Sequence, residues 1–155
     1  MRYSLEGPLL GQGAQCEPVL RSLPDWFGIE SSLVQYVKDI EVMPTFLCRH
    51  LERVVGFLTI HKHNQVSAEI HVVAVSPDHH RQGVGKRLLN QAEEWLRSDR
   101  FEYLQVKTVG PARADENYEK TRQFYEAVGF RPLEEFPTLW GEGMPCLQMV
   151  KRLPQ

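Results

Sequence analysis

The residues best suited to chemistry lie between Val73 and Arg87, in the run Val-Ala-Val-Ser-Pro-Asp-His-His-Arg-Gln-Gly-Val-Gly-Lys-Arg. An apolar stretch ends at Pro77, a short polar loop follows, and a helical pattern opens with Gly83 and Gly85. The first turn of a helix carries N–H groups without carbonyl partners and the positive end of the helix dipole. Glycine lets a ligand approach the backbone. Arg81, Lys86 and Arg87 add positive charge. Such a loop suits an anionic diphosphate. It is not a P-loop, because the earlier glycine would fall at His80 and Arg87 replaces the hydroxyl residue. It is not a dinucleotide fingerprint either, because Leu88 stands where the third glycine belongs. On this loop alone, a glycine-rich turn before a surface helix is an equal reading.

The flanking pattern predicts the elements that hold this loop. A helix is expected over Ala14–Ser22, and a second over Glu30–Ile40, where Leu33, Val34, Val37 and Ile40 recur at helical spacing. The period then changes. Thr45–Cys48 and Val54–Ile60 read as strands joined by a hairpin through Glu52. Ala68–Val75 reads as a central strand, rich in β-branched residues and apolar on both parities after His71. From Gly83 to Arg97 runs a strong helix with Val84, Leu88, Leu89, Ala92, Trp95 and Leu96 as its buried stripe and Glu93 outside it. Tyr103–Val109 follows as a strand, giving a strand–helix–strand unit with a parallel pair. Asp115 is a candidate N-cap for a helix that ends at Gly129. Strands near Phe130–Phe136 and Cys146–Lys151 close the chain. The expectation is one α/β domain over residues 1–155, a mixed sheet of six to seven mostly antiparallel strands with a central parallel pair and about four helices.

In these elements the chain resembles the GNAT family of N-acetyltransferases. The family signature, Gln/Arg-x-x-Gly-x-Gly/Ala after a strand, reads here His80-Arg81-Gln82-Gly83-Val84-Gly85. Upstream, Ala68–Val75 looks like the family's fourth strand; downstream, Phe124-Tyr125-Glu126-Ala127-Val128-Gly129-Phe130 looks like its last-helix motif. Two positions depart from the pattern. His80 replaces the usual Gln or Arg, which shifts part of the diphosphate contact toward Arg81. An Asn common in the last helix would fall at Tyr118, one place after Asn117, which weakens a cofactor role for Asn117.

The resemblance implies acetyl-CoA as co-substrate, direct transfer to a primary amine, and an acyltransferase fold. It implies that Val73, Ala74 and Val75 pair through their backbone with the pantetheine arm, as an added strand would, and that an N–H near Val73 polarises the thioester. It assigns the diphosphate to His80, Arg81, Gln82, Gly83, Val84, Gly85 and Lys86. Glu69 takes the place of a catalytic Glu and is the candidate general base; a salt-bridged structural Glu is the competing reading. Glu69 and Val73 share strand parity and stand about 13 Å apart, room for an acceptor and a relay water. Tyr125 is the implied general acid for the departing thiolate, against a purely packed aromatic. The acceptor side falls to Trp26, Phe27 and Trp140, which equally suit the core. A catalytically silent acyl-CoA-binding module and a transferase for another acyl-CoA donor are the alternatives.

Composition agrees with a small soluble globular protein. The chain has 155 residues, 42% hydrophobic and 25% charged, with net charge -2. That charge lacks the basic footprint of a nucleic-acid binder. No apolar run approaches the roughly 18 residues of a membrane span, and the first residues lack a signal-peptide core. Three dispersed cysteines, Cys16, Cys48 and Cys146, suit a reducing compartment. These features predict a cytoplasmic protein without nucleic-acid or membrane partners. His61, His63, His79 and His80 lack matched acidic or Cys partners at a metal-ligand spacing, so no metal is expected. The resemblance implies a small-molecule or protein amine as acceptor; members of the family are often homodimers, and no dedicated interface signal stands in this sequence.

Overall fold

A computed structural model describes residues 2–155. Its strands are β1 (Ser4–Leu9), β2 (Thr45–His50), β3 (Arg53–Lys62), β4 (Ser67–Val75), β5 (Tyr103–Val109), β6 (Arg131–Phe136) and β7 (Cys146–Arg152). Its helices are α1 (Gly13–Arg21), α2 (Pro24–Phe27), α3 (Glu30–Val42), α4 (Val84–Ser98) and α5 (Glu116–Ala127). The strands form one mixed sheet in the order β1-β2-β3-β4-β5-β7-β6. β4 and β5 run parallel, whereas β1–β2, β2–β3, β5–β7 and β6–β7 are antiparallel. The mixed α/β architecture expected from the sequence is the one found.

The chain gathers into two compact units that divide β4 between Ile70 and His71. The first holds the residues up to His61 and His71–Asp99. Its core joins Cys16, Val19, Leu20 and Leu23, spaced for one helical face, to Leu33 and Ile40 of α3 and to Leu47, Phe57, Val72 and Ala74 of the sheet. Arg21 on α1 grips both oxygens of Glu30 on α3 at 2.7 and 3.0 Å. This bidentate pair holds the Glu30 carboxyl below its ordinary range. α2 is too short to show a helical period in the sequence, and it starts with Pro24 at a position where the missing N–H costs nothing. β1 is likewise absent from the sequence expectation, because Gly7-Pro8 resembles a turn. It sits at the sheet edge, where proline is tolerated, and its register with β2 shifts between Glu6 and Leu9. α4 buries Val84, Leu88, Leu89, Ala92 and Leu96 as expected. Glu93, expected outside the stripe, is buried at 4% exposure and pairs with Arg97 one turn on.

The second unit holds Lys62–Ile70 and Arg100–Gln155. There β4 pairs β5 in parallel from Ser67↔Tyr103 to Ile70↔Val106, and β5 pairs β7 over its whole length. Asp115 caps α5, its carboxylate accepting from the N–H groups of Asn117 and Tyr118. Arg122 of α5 donates to the Val109 carbonyl at 2.7 Å and fastens the helix to the end of β5.

Candidate active site

In the first unit, β4 runs out at Val75, a short 3₁₀ turn covers Pro77–His79, and α4 begins at Val84. The Ser76 N–H donates to Val55 O at 2.8 Å and the His80 ring meets Val75 O at 2.7 Å, so both ends of the loop are tied to the sheet. Arg81 has φ of 63° and Gly83 φ of 78°. For arginine this left-handed backbone costs roughly 1–2 kcal/mol. Strain of this kind concentrates at functional sites. Among the described residues no side chain caps the start of α4, and a methyl group at Gly83 would meet none of their atoms within 4 Å. The start of α4 lies beside the exposed side chains of Arg81 and Lys86. Arg87 leans over the Tyr3 ring, 5.9 Å from its centre. The helix start itself is seated on β3: a methyl group on Gly56 would lie 2.9 Å from Val84 Cγ1. These features fit a diphosphate with its charge balanced on the loop.

The same unit gathers aromatic and titratable groups. Trp26 stands edge-on to His80 at 6.3 Å, and Phe27 edge-on to Tyr36 at 5.7 Å. Tyr36 in turn contacts His71, which hydrogen-bonds Asp39.

In the second unit, Glu69 is buried at 8% exposure. Its Oε1 meets His63 Nε2 at 2.6 Å, and both oxygens accept from Lys107 Nζ at 3.1 Å. The carboxylate is thus present and held, and its oxygens are already engaged. Neither partner was predicted. Lys107 follows Gln105, the register partner of Glu69, by two residues on β5, and that register is visible only in the folded chain. Tyr125 is buried at 5% exposure, with its ring against Phe124 and Phe130 at 5.5 Å each. Asn117 lies in the first turn of α5, its carbonyl accepting from the Thr121 hydroxyl. Trp140, 43% exposed, lies in the loop between β6 and β7. A shallow hollow of about 440 Å³ near Arg113, Asp115, Glu119 and Arg122 contains none of the predicted site residues.

The three cysteines are free and buried. Burial, with help from the Glu41 charge, pushes the Cys16 thiol up to about 12. Burial likewise raises Cys48 and Cys146. Among the described residues no group of three or more His, Cys, Asp or Glu could hold a metal ion, and no helix is long and apolar enough to cross a membrane.

Residues 19–130 match the family model described as the acetyltransferase (GNAT) family. The chain belongs to the GNAT acetyltransferase family. Solved structures repeat the fold over the whole chain. The ribosomal-protein-S18-alanine N-acetyltransferase of Escherichia coli is 16% identical, with a TM-score of 0.78 over 99% of this chain and 96% of that one. An aminoglycoside 6'-N-acetyltransferase complexed with coenzyme A is 18% identical, with a TM-score of 0.76 over 100% and 98%. Ard1 from Thermoplasma volcanium is 15% identical, with a TM-score of 0.78 over 100% of both chains. At these identities the likeness concerns the fold. Comparison with curated protein sequences gives no match. The loop expected to carry the family signature is the strained turn before α4, and Tyr125 lies in the segment expected to carry the last-helix motif.

Proposed function

We propose that this GNAT protein transfers an acetyl group from acetyl-CoA directly to a primary amine. The observation that carries the reading is the open start of α4, uncapped, entered through Arg81 and Gly83 in left-handed backbone and flanked by Lys86. The loop from His80 to Lys86 takes the diphosphate. The backbone of Val73, Ala74 and Val75 pairs with the pantetheine arm, and the thioester carbonyl lies at the N–H near Val73. Glu69 acts as general base and Tyr125 as general acid for the leaving thiolate. Asn117 is a lesser cofactor contact, and Trp26, Phe27 and Trp140 belong to the acceptor side. An aminoglycoside and a ribosomal-protein alanine are the acceptors that the relatives' names state, which supports an amine on either a small molecule or a protein. We place the reaction in the cytoplasm.

The engagement of both Glu69 oxygens by Lys107 and His63 favours one other reading, an acyl-CoA-binding module without turnover.

The first test is the melting temperature with acetyl-CoA, with CoA and with ATP. Ligand at about 100 times its dissociation constant stabilises the fold by about 2.7 kcal/mol, or about 5–10 °C for a domain of this size. A rise with acetyl-CoA and CoA but not ATP is expected. No rise at millimolar acetyl-CoA would refute the diphosphate assignment, and the transferase reading with it.

A further inference from the structure

From Ile70 onward β4 alternates buried and half-buried positions, with His71, Val73 and Val75 half-buried. His71 Nε2 lies 2.8 Å from Asp39 Oδ2 on α3. The other oxygen of that carboxylate accepts from Gln35 Nε2 at 2.9 Å, one turn back on the same helix. Asp39 is therefore held from its own helix and aimed at the ring. Both side chains of the pair keep 24% of their surface. Tyr36 of α3 stands 5.6 Å from the imidazole and His61 of β3 stands 6.2 Å from it, both edge-on. The titratable groups in contact with His71 among the described residues are Asp39, Tyr36 and His61. Nδ1 has no hydrogen-bond partner among the described residues. A carboxylate that accepts from Nε2–H leaves the lone pair on Nδ1, which is the form of imidazole able to take a proton. His71 precedes Val73 by two residues, about 6.6 Å along the strand.

We propose that His71, oriented by Asp39, is the base that takes the proton an acceptor amine must lose before it attacks. The proposal rests on the acetyl-transfer reading above. The acceptor arrives as an ammonium and leaves as an amide, so its nitrogen sheds two protons. In the first step an N–H bond breaks, the proton passes to Nδ1, and the electron pair stays on nitrogen. That pair forms the C–N bond to the thioester carbon, the C–S bond breaks, and its electrons leave on sulfur. Sulfur receives a proton from the general acid, and the second nitrogen proton passes to solvent, which restores that acid. His71 returns its proton to water, so the whole reaction releases one proton. Asp39 touches no reacting atom and is a positioning residue.

The test follows thiol release by the full chain with acetyl-CoA and, as probes, spermidine, an aminoglycoside such as kanamycin, and a peptide with N-terminal alanine. His71→Gln is expected to lose about 10²–10³-fold in kcat and to abolish the acid-side fall in kcat/KM that an imidazole base imposes. The variant should still gain melting temperature from acetyl-CoA as the wild type does, which shows it folded. Asp39→Asn is expected to lose about tenfold in kcat at unchanged KM for acetyl-CoA, and Asp39→Glu to recover part of that loss. An active wild type whose acid-side fall persists in His71→Gln, or whose kcat survives both substitutions, overturns the proposal and leaves acetyl transfer standing. A wild type that releases thiol with none of the probes overturns the acetyl-transfer reading and this proposal together.

Discussion

Gly56 connects the packing of β3 to the start of α4. An alanine there would place its methyl carbon 2.9 Å from Val84 Cγ1, 3.3 Å from Ala74 O and 3.4 Å from Leu88 Cδ1. Ordinary contact begins near 3.4 Å. A valine in a helix has one strongly preferred rotamer, so Val84 cannot turn aside, and the Ala74 carbonyl blocks retreat on the other side. The first turn of α4 must lift by about half an ångström. Overpacking of this kind costs about 1–3 kcal/mol. Exchanging glycine for alanine within a strand returns roughly 0.5–1 kcal/mol. The net loss is about 1 kcal/mol, or about 2–4 °C in Tm. The same shift misplaces the N–H groups assigned to the diphosphate, whose hydrogen bonds to a charged group are worth about 1.5–3 kcal/mol each. Losing about 1 kcal/mol of that weakens CoA about fivefold. Calorimetric titration with CoA and urea unfolding of Gly56→Ala measure the two effects. Gly83→Ala is the control: it meets no atom, so its cost, about 1–2 kcal/mol, comes from backbone alone. A Gly56→Ala protein that melts with the wild type and binds CoA equally well would refute both the seating of α4 on Gly56 and the role of its first turn.

Other consequences follow from single side chains. Tyr125→Phe keeps the ring packed against Phe124 and Phe130, and kcat should fall about 10²-fold or more; unchanged turnover would remove the hydroxyl from the mechanism. Glu69→Gln keeps the shape but takes the charge from Lys107. A base predicts a fall in kcat of about 10²-fold or more, whereas a purely structural pair predicts a lower Tm with kcat intact. The Cys16 thiol, raised from 9.0 to about 12, holds its proton longer in the native than in the unfolded chain. Its stabilising effect is thus complete below pH 9 and is lost as pH rises toward 12, at about 1.4 kcal/mol per pH unit. Urea unfolding should show the stability gap between wild type and Cys16→Ala shrinking above pH 9; a constant gap would count against the shift.

Periodicity made much of the fold legible. The helical stripes of α3 and α4 and the strand character of β3, β4 and β5 follow from apolar spacing alone. What escaped was set by tertiary context. β1 carries a Gly-Pro pair that only an edge position tolerates. Glu93 enters the core because Arg97 accompanies it, which no hydrophobic pattern records. At the candidate site, glycines and cations marked the loop, since backbone conformation and helix position leave a local trace. Side-chain pairing leaves none. Asp39 lies 32 residues from His71 and Lys107 lies 38 from Glu69, and only the folded chain sets them face to face.

The turn between β2 and β3 has one more consequence. His50 and Arg53 pair across it, so Leu51 and Glu52 alone make the reversal, with φ of 49° and 67°. Hairpins of this shape favour Asn-Gly, and two ordinary residues hold the geometry at a cost. The chain therefore has unused headroom: Asn-Gly at these positions would add stability without touching any residue assigned a role. Extra stability lets a protein carry mutations it could not otherwise survive. A hairpin rewritten in this way would be the natural starting background for altering the acceptor side, around Trp26 and Phe27, in search of new amines.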